Sequence, residues 1–402
     1  MNITYQELYN FIEQQPIINT HCHQDLSLES KPFTLDVLLQ NSYATWCHVT
    51  WDSTPSSRAY FLKKVRFNSY FRWLDIALDK LYSLGGPLTA ENWDALSDQI
   101  ESTHRRPGYW LELLTKHCGY RKMIEDAYWN PGYDNGQPQL FTPAFRVNSF
   151  FFGYRPDGGD HDGNNALRLY RGSEPIASLD EYIAFIRQHI LEKQRQGCVA
   201  MKLPIAYDRG LDFVETPKQV AQEAFERLKS GSRFEDVKAF QDYLLFEVCR
   251  IAAETGLPLQ VHTGLGKIQR SNAMWLEEAI RKNPGTKFIL LHCSIPWIED
   301  TLALMRTFPN VYPDLSWLPN FSTELSVRML HNLIEGGMAH RVCWGCDTWT
   351  PEESYASLLV FRHVLARALA EKVEQEYLSL SDAKGIASNI LYRNGSELYR
   401  IG

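Results

Sequence analysis

The sequence predicts an α/β protein built as a (β/α)8 (TIM) barrel, with a helical insertion after its first strand. Three observations lead to this prediction. Short, β-rich apolar runs alternate with helical patterns along the second half of the chain, which is typical of a parallel sheet covered by helices. Three earlier apolar runs bring the number of candidate strands to eight. Ionisable residues stand at the C-terminal ends of several of these runs, where barrel enzymes build their active sites.

In the second half of the chain, each helical pattern has Gly, Pro or Asn near its end and leads into a strand. The pattern over 179–195 is the first of these helices. The five strands that follow are predicted at about 198–205, 257–264, 287–294, 310–317 and 341–347. The runs PIINTHCH, RKMIEDA and FRVNSFFFGY supply the three earlier strands.

The stretch from residue 26 to 118 does not fit a single barrel connection. It is long, rich in Trp, Tyr and Phe, and mostly helical in pattern. A barrel of this class needs roughly 250 residues, so the excess length is accommodated by an insertion and a helical C-terminal tail. We therefore predict one barrel over 1–402 with an inserted helical subdomain at 26–118, whose aromatic surface is a candidate contact in a homo-oligomer.

Composition narrows the class of protein. The 402 residues are 44% hydrophobic and 22% charged, which excludes a disordered or fibrous chain. The net charge of −7 lacks the broad positive footprint of a nucleic-acid binder. No run approaches the roughly 18 apolar residues of a membrane helix, and the N-terminus does not read as a signal peptide. With 8 scattered Cys, we expect a cytoplasmic enzyme that acts on a small molecule without a membrane or nucleic-acid partner.

Six ionisable residues lie at or near the C-terminal ends of five predicted strands. They are His21, His23, Lys202, His262, His292 and Asp347. Side chains alternate along a strand, so His21 and His23 share a face. A lone His is more often a hydrogen-bonded core residue, but that explanation weakens when all of them occupy the same end of successive strands. Imidazole and carboxylate groups are ligands of Zn²⁺ and related ions, so the set predicts a divalent-metal site.

These motifs resemble the amidohydrolase superfamily of metal-dependent barrel hydrolases. The matching segments are THCH, AMKLPIAY, VHTGLG, LLHCS and WGCDTW. The segments LQVHTGLG, FILLHCSIPW and NVYPDLSW resemble one branch of this superfamily. That branch includes domains related to glutamine-synthetase-fused proteins and, more distantly, uronate isomerases. The resemblance covers about 120–402 and the first strand, and it leaves the insertion unmatched.

Lys202 determines how many ions the site can hold. An ammonium group is protonated near neutral pH and cannot be a metal ligand. In the superfamily the lysine of the fourth strand can be carboxylated. The resemblance thus implies His21, His23 and Asp347 on one zinc ion, and His262 and His292 on a second, with Lys202 and a hydroxide between them. The alternative is one ion, with an unmodified Lys202 beside an anionic substrate.

The predicted reaction is hydrolysis of a C–N or C–O bond in a small polar substrate. A metal lowers the pKa of water to roughly 7, and the resulting hydroxide would attack a polarised carbonyl. The resemblance makes Asp347 the group that takes the proton and passes it to the leaving group. One alternative is a mononuclear enzyme similar to uronate isomerases or decarboxylases. Another is a catalytically silent metal-binding regulatory domain.

Four residues near the strand ends are candidate substrate contacts: Tyr207, Arg209, Trp317 and Trp349. Arg209 could hold a carboxylate through a bidentate pair, although a loop ion pair with Asp208 or Asp212 is as plausible from the sequence. The CWGC motif matches a redox pattern, but its position inside a predicted strand favours buried structural cysteines.

Overall fold

The computed structural model describes residues 3–172, 174–231 and 233–402. Within these ranges, seven strands form one sheet in which every neighbouring pair is parallel and sequence order equals spatial order. The strands are β1 (Ile17–Cys22), β2 (Tyr120–Glu125), β3 (Phe141–Arg146), β4 (Ala200–Leu203), β5 (Leu259–His262), β6 (Phe288–Leu291) and β7 (Val311–Asp314).

The described ranges also contain sixteen α-helices. They are α1 (Ile3–Glu13), α2 (Leu35–Gln40), α3 (Pro55–Val65), α4 (Ser69–Tyr82), α5 (Trp93–His104), α6 (Tyr109–Glu112), α7 (Leu179–Arg195), α8 (Lys218–Leu228), α9 (Phe234–Thr255), α10 (Glu277–Lys282), α11 (Ile298–Thr307), α12 (Leu318–Phe321), α13 (Thr323–Glu335), α14 (Pro351–Glu374), α15 (Leu380–Ser388) and α16 (Asn394–Tyr399). None of the described helices is long and apolar enough to cross a bilayer.

Local sequence signals explain where these elements begin and end. The side chain of Ser178 accepts a hydrogen bond from the Glu181 amide and caps α7, whose first turn is acidic and whose last turn is basic. Helix α9 ends at Gly256, which adopts a left-handed φ of 70°. Strands β4, β5 and β6 are buried at every position, as expected for a parallel sheet covered by helices.

The predicted strand FRVNSFFFGY is wrong in its extent. The strand begins earlier, at Phe141, and ends at Arg146, and residues Asn148–Phe152 form a 3-10 turn instead. Val147 leaves the extended region, with φ −94° and ψ −1°. The aromatic run has high β propensity, but its buried rings belong to a 3-10 turn rather than to a strand. The Tyr182 hydroxyl donates a 2.6 Å hydrogen bond to the Phe150 carbonyl of this turn.

The predicted eighth strand, 341–347, forms one parallel bridge to β7, between Asp314 and Cys343, rather than a ladder. On its other side the Thr20 amide donates to the Trp344 carbonyl at 3.1 Å, and the Asp347 amide donates to the His21 carbonyl at 2.9 Å. This segment therefore makes hydrogen bonds to both edge strands of the sheet, β7 and β1.

The approach of this segment to β1 depends on a glycine. A Cβ atom on Gly345 would lie 2.4 Å from the His21 amide nitrogen, closer than real contacts allow. Only a residue without a side chain can occupy this position while the backbone hydrogen bonds to β1 are kept.

The segment between β1 and β2 contains α2 to α6 and packs through α4 against α14. Buried polar contacts fix it there. The Tyr82 hydroxyl lies 2.7 Å from a Glu352 carboxylate oxygen, and His104 Nε2 lies 2.6 Å from the same atom. The helical content predicted for 26–118 is therefore present, and it is anchored to the first turn of α14.

Candidate metal centre

Polar residues meet where the parallel strands end. His21 lies in β1 and His23 just after it, Asp126 follows β2, Lys202 lies in β4 and His262 ends β5. His292 follows β6, and Asp347 follows the segment that bridges β7 and β1. All seven side chains are buried, each with at most 5% exposure. The structure thus brings together all six residues that the sequence predicted as metal ligands, and adds Asp126.

Asp347 lies at the centre of this cluster. Its Oδ1 is 3.0 Å from His23 Nε2 and 3.6 Å from His21 Nε2, and its Oδ2 is 3.5 Å from His292 Nδ1. The Tyr43 hydroxyl donates a 3.2 Å hydrogen bond to Oδ1. Burial alone would raise the pKa of Asp347, but the neighbouring imidazoles, His21 first, hold it well below its usual range. The group therefore remains a carboxylate at neutral pH.

One side of the cluster carries several charges. Lys202 Nζ lies 2.9 Å from His21 Nε2 and 3.3 Å from Asp126 Oδ2. Arg146 grips Asp126 with two hydrogen bonds, of 3.0 and 3.2 Å. Burial opposes the charged form of Asp126, but Arg146 and Lys202 outweigh it and lower the pKa. Burial lowers the pKa of Lys202, and Asp126 opposes that shift.

The other side is formed by two uncharged imidazoles. His262 Nε2 lies 2.6 Å from the Leu265 carbonyl, and His292 Nδ1 lies 3.0 Å from the Ser316 carbonyl. If each ring donates its N–H to its carbonyl, the lone pairs of His262 Nδ1 and His292 Nε2 face each other, 3.1 Å apart. Burial lowers the pKa of His292 to about 4, and burial together with His292 lowers that of His262 well below its usual range.

These residues fit a divalent ion. Metal-bound imidazoles usually donate their second N–H to a backbone carbonyl or carboxylate, and His262 and His292 have that arrangement. His23 shares it, because its Nδ1 lies 2.8 Å from the Asp126 carbonyl. His21, His23 and Asp126 each offer a ligand atom, and these atoms lie within 4.8 Å of one another. His21 Nδ1 is buried without a hydrogen-bond partner.

Three of the four predicted substrate contacts lie against this cluster. The Tyr207 ring is 4.3 Å from that of His262, and the Trp317 ring is 4.9 Å from that of His292. The Trp349 ring stacks on that of His23 at 5.7 Å.

Arg209 is placed differently from these three aromatic residues. It forms an ion pair with Asp242 at 3.0 Å, lies over the Phe213 ring at 4.2 Å, and lines a separate cavity of about 320 Å³.

Two adjoining cavities lead to the cluster. One, of about 430 Å³, is lined by Tyr207 and Trp46, and the other, of about 520 Å³, is lined by His23 and Asp126. Both are bounded by Asp25, Tyr128, Trp129 and Trp349. A small organic molecule can therefore reach the strand ends through an aromatic entrance.

Sequence reasoning missed three residues of the site. Asp126 had a readable signal, because it ends the predicted strand RKMIEDA. Arg146 also had one, as a charged residue inside an apolar strand. Tyr43 lies in the helical segment after β1, and no pattern in the sequence relates it to Asp347.

Parts of the chain are similar in sequence to known proteins. A family model described as Amidohydrolase matches residues 213–398. Protein fluG of Emericella nidulans is 28% identical over 222 residues, which cover 50% of this chain but only 26% of that protein. The uronate isomerase of Staphylococcus haemolyticus is 21% identical in an alignment that covers 100% of this chain and 97% of that enzyme.

Solved structures share the fold over the whole chain. The uronate isomerase of Thermotoga maritima has a TM-score of 0.80 at 16% identity, covering 99% of this chain and 98% of that one. A Lactobacillus casei ATCC 334 protein provisionally named as a metal-dependent hydrolase has a TM-score of 0.71 at 18% identity, with coverage of 98% and 97%. Together these findings show that the chain is similar to the amidohydrolase family over 213–398 and shares the fold of these solved structures along its whole length.

Proposed function

We propose that this protein is a metal-dependent hydrolase that cleaves a C–N or C–O bond in a small polar substrate. The observation that carries the proposal is the position of Asp347. Its carboxylate lies within 3.6 Å of three imidazoles, one of which, His23, lines an entrance cavity. A carboxylate in that position can hold a metal and accept a proton from an attacking water.

His21, His23 and Asp347 would hold zinc in the proposed site, and His262 and His292 would complete the donor set. The contact between Lys202 and Asp126 favours one ion and an unmodified lysine. Carboxylated Lys202 would be an anion beside Asp126 in a buried place, and like charges there are costly. The alternative is a binuclear site in which carboxylated Lys202 would bridge two ions. The intact mass of the protein distinguishes the two arrangements, because carboxylation adds CO₂.

Bound zinc would supply a water molecule of lowered pKa and polarise the substrate carbonyl. The remaining steps belong to the chain itself. Asp347 accepts the proton and returns it to the leaving group, while the Tyr43 hydroxyl holds its Oδ1 in place. The ring of Trp349 and the neutral imidazoles shield the reacting atoms from bulk water.

The fold that supports this chemistry is, in our proposal, a closed eight-stranded barrel. The segment 341–347 would act as the eighth strand, because it makes backbone hydrogen bonds to both β7 and β1. The segment between β1 and β2 would be the inserted subdomain. It places the Tyr43 hydroxyl on Asp347 and the Trp46 ring in the wall of the entrance. The eight cysteines are unpaired, which is consistent with a cytoplasmic location.

We propose Tyr207, Trp317 and Trp349 as substrate contacts, on the basis of their position against the imidazoles. Arg209 remains a prediction that requires a substrate long enough to reach its own cavity, because Asp242 already neutralises its charge.

A mononuclear isomerase is the second candidate. Two observations favour it: Lys202 is paired as a cation, and uronate isomerases match the chain over its whole length. In such an enzyme, Asp347 would move a proton between neighbouring carbon atoms rather than to a leaving group.

The test combines metal analysis with a substrate panel. The protein is loaded with Zn²⁺, its metal content and intact mass are measured, and it is assayed on amides, esters and lactones in parallel with uronate sugars. We expect one ion per chain, no added CO₂ and hydrolysis of at least one panel member. Interconversion of uronates without any hydrolysis would overturn the hydrolase and support the isomerase.

A further inference from the structure

The wall shared by the two entrance cavities consists of Asp25, Tyr128, Trp129 and Trp349. We propose that this wall recognises a positively charged nitrogen, so that the substrate is an amine or a quaternary ammonium compound. The inference rests on the proposed function for the reaction, and it adds the chemical class of the molecule that reacts.

The first support is a carboxylate without a cation. Asp25 Oδ1 accepts a 3.0 Å hydrogen bond from the Ser27 amide, and the Asp25 amide donates to the Trp349 carbonyl at 3.1 Å. These bonds fix the carboxyl group at the cavity wall. Among the described residues, no Lys, Arg or His forms an ion pair with it, and none of the residues lining either cavity is Lys or Arg.

The second observation is that the cationic side chains near the entrance already form ion pairs with carboxylates. Arg146 is bound by Asp126 and Asp162, and Lys202 is bound by Asp126. Both cations are only 2% exposed. Among the described residues, His161 is the one His that lines the cavity of about 430 Å³, and its Nδ1 lies 2.8 Å from Asp208. Among the described residues in and beside this entrance, a substrate carboxylate would therefore find no Lys or Arg that lacks a carboxylate partner.

The third support is the aromatic surface around Asp25. The ring of Trp349 lies 6.3 Å from that of Tyr128, in a stacked orientation, and the ring of Trp129 lies 5.6 Å from that of Tyr128. Arg146 already covers a face of Tyr128 at 4.0 Å, so the rings left for a ligand cation are the indoles of Trp129 and Trp349. Both indoles line the two cavities, and Trp129 is 76% exposed.

These features agree on one kind of ligand. Indole rings bind cations through their negative faces, and quaternary ammonium groups are recognised by aromatic cages. A carboxylate beside such rings adds an attraction that a neutral or anionic molecule lacks. The entrance therefore differs from one built for a uronate, whose carboxylate needs a cation.

The experiment compares three probes of nearly equal shape on the zinc-loaded protein. They are choline, its uncharged carbon isostere 3,3-dimethylbutan-1-ol, and the anion 3,3-dimethylbutanoate. Binding is followed by calorimetry and by tryptophan fluorescence. We expect choline to bind at least about tenfold more tightly than the alcohol, and the carboxylate to show no advantage over the alcohol.

Two variants test where the preference arises. Asp25→Asn removes the charge but keeps an oxygen for the Ser27 amide, and we expect it to lose most of the preference for choline. Asp52→Asn is the matched control, because Asp52 makes the same kind of bond, to the Thr54 amide at 2.8 Å, and does not line either cavity. Trp129→Ala should weaken choline binding without altering metal content.

Equal binding of choline and the alcohol, or an unchanged preference in Asp25→Asn, would overturn the inference. So would tightest binding of the carboxylate. Catalysis is not read in these titrations. A protein that prefers choline but hydrolyses nothing would refute only the proposed reaction, and hydrolysis without any charge preference would refute only the cation site.

Discussion

The two halves of the strand-end cluster use the same residue type in opposite ways. In the charged half, His21 and His23 lie among Lys202, Asp126 and Arg146, and every group has a partner of opposite charge or a hydrogen bond. In the neutral half, His262 and His292 face one another with backbone carbonyls behind them. The difference shows that the electrostatic environment, rather than the imidazole itself, determines what each His can do.

Asp347 stands between the halves, and its replacement should have the largest effect. In Asp347→Asn the Tyr43 hydroxyl keeps an acceptor, but the group that carries the proton is lost. We expect turnover to fall by roughly 10²–10⁴-fold, the range typical of general acid–base groups. The measurement is kcat on the substrate found in the panel, with Asp52→Asn as the control. Unchanged turnover would remove Asp347 as the proton carrier.

Metal binding tests whether the two halves serve one ion. We expect both His23→Ala and His262→Ala to lose the ion after dialysis against a chelator and reloading, because each removes a nitrogen donor. Loss of a supporting residue typically costs 10–100-fold in affinity, and loss of a ligand should cost at least as much. Metal content by mass spectrometry is the readout. Full occupancy in His262→Ala would confine the site to the charged half.

The pH dependence of stability in the metal-free protein should follow the buried imidazoles of both halves, because burial lowers the pKa of His21 as well as that of His292. The pKa of His292 is about 4 in the folded state, so the unfolded chain binds the proton first as pH falls below about 6.5. Stability should therefore be complete above pH 6.5 and fall by about 3 kcal/mol toward pH 4 through this group alone. Asp126 and Asp347 have lowered pKa values, so their contribution is lost only below about pH 4.

Urea denaturation at pH 7 and pH 5 provides the measurement for this prediction. His292→Gln should show a shallower decline than the wild type, because the amide does not titrate in this range. An equal decline in both proteins would assign the effect to other groups.

The smallest expected effect concerns two residues near the neutral half of the cluster, Tyr207 and Arg209. Tyr207→Ala removes a ring packed on His262 and should raise KM several-fold, whereas Arg209→Ala breaks an ion pair with Asp242 and should change KM little for a small substrate. Steady-state kinetics of both variants are compared on the same substrate. A larger rise in KM for Arg209→Ala would extend the binding site into the neighbouring cavity.

Periodicity was sufficient to predict most of the sheet, because buried parallel strands have continuous apolar runs. It was insufficient at FRVNSFFFGY, where Phe150 and Phe151 look β-prone but are buried in a 3-10 turn that tertiary packing selects. It also predicted a full strand at 341–347, where the structure has a single bridge to β7.

The residues of the site could be predicted from the sequence where they stand at or near the ends of predicted strands. The six predicted ligands share that property, and the structure brings them together. Tyr43 could not be found in this way, because its contact with Asp347 joins residues 304 positions apart in the sequence. The ion pair between Arg209 and Asp242 could not be predicted either, because Asp242 lies on α9, far in sequence from the loop that carries Arg209.

The hydrogen bonds between β1 and the segment containing Trp344 and Asp347 have a consequence for how the protein matures. His21 comes before the other members of the cluster in the sequence and Asp347 after them, and the central carboxylate cannot meet the imidazoles until both have been synthesised. Closing so long a loop costs entropy that only the finished sheet repays. A chain that has not yet reached Asp347 therefore cannot assemble this cluster.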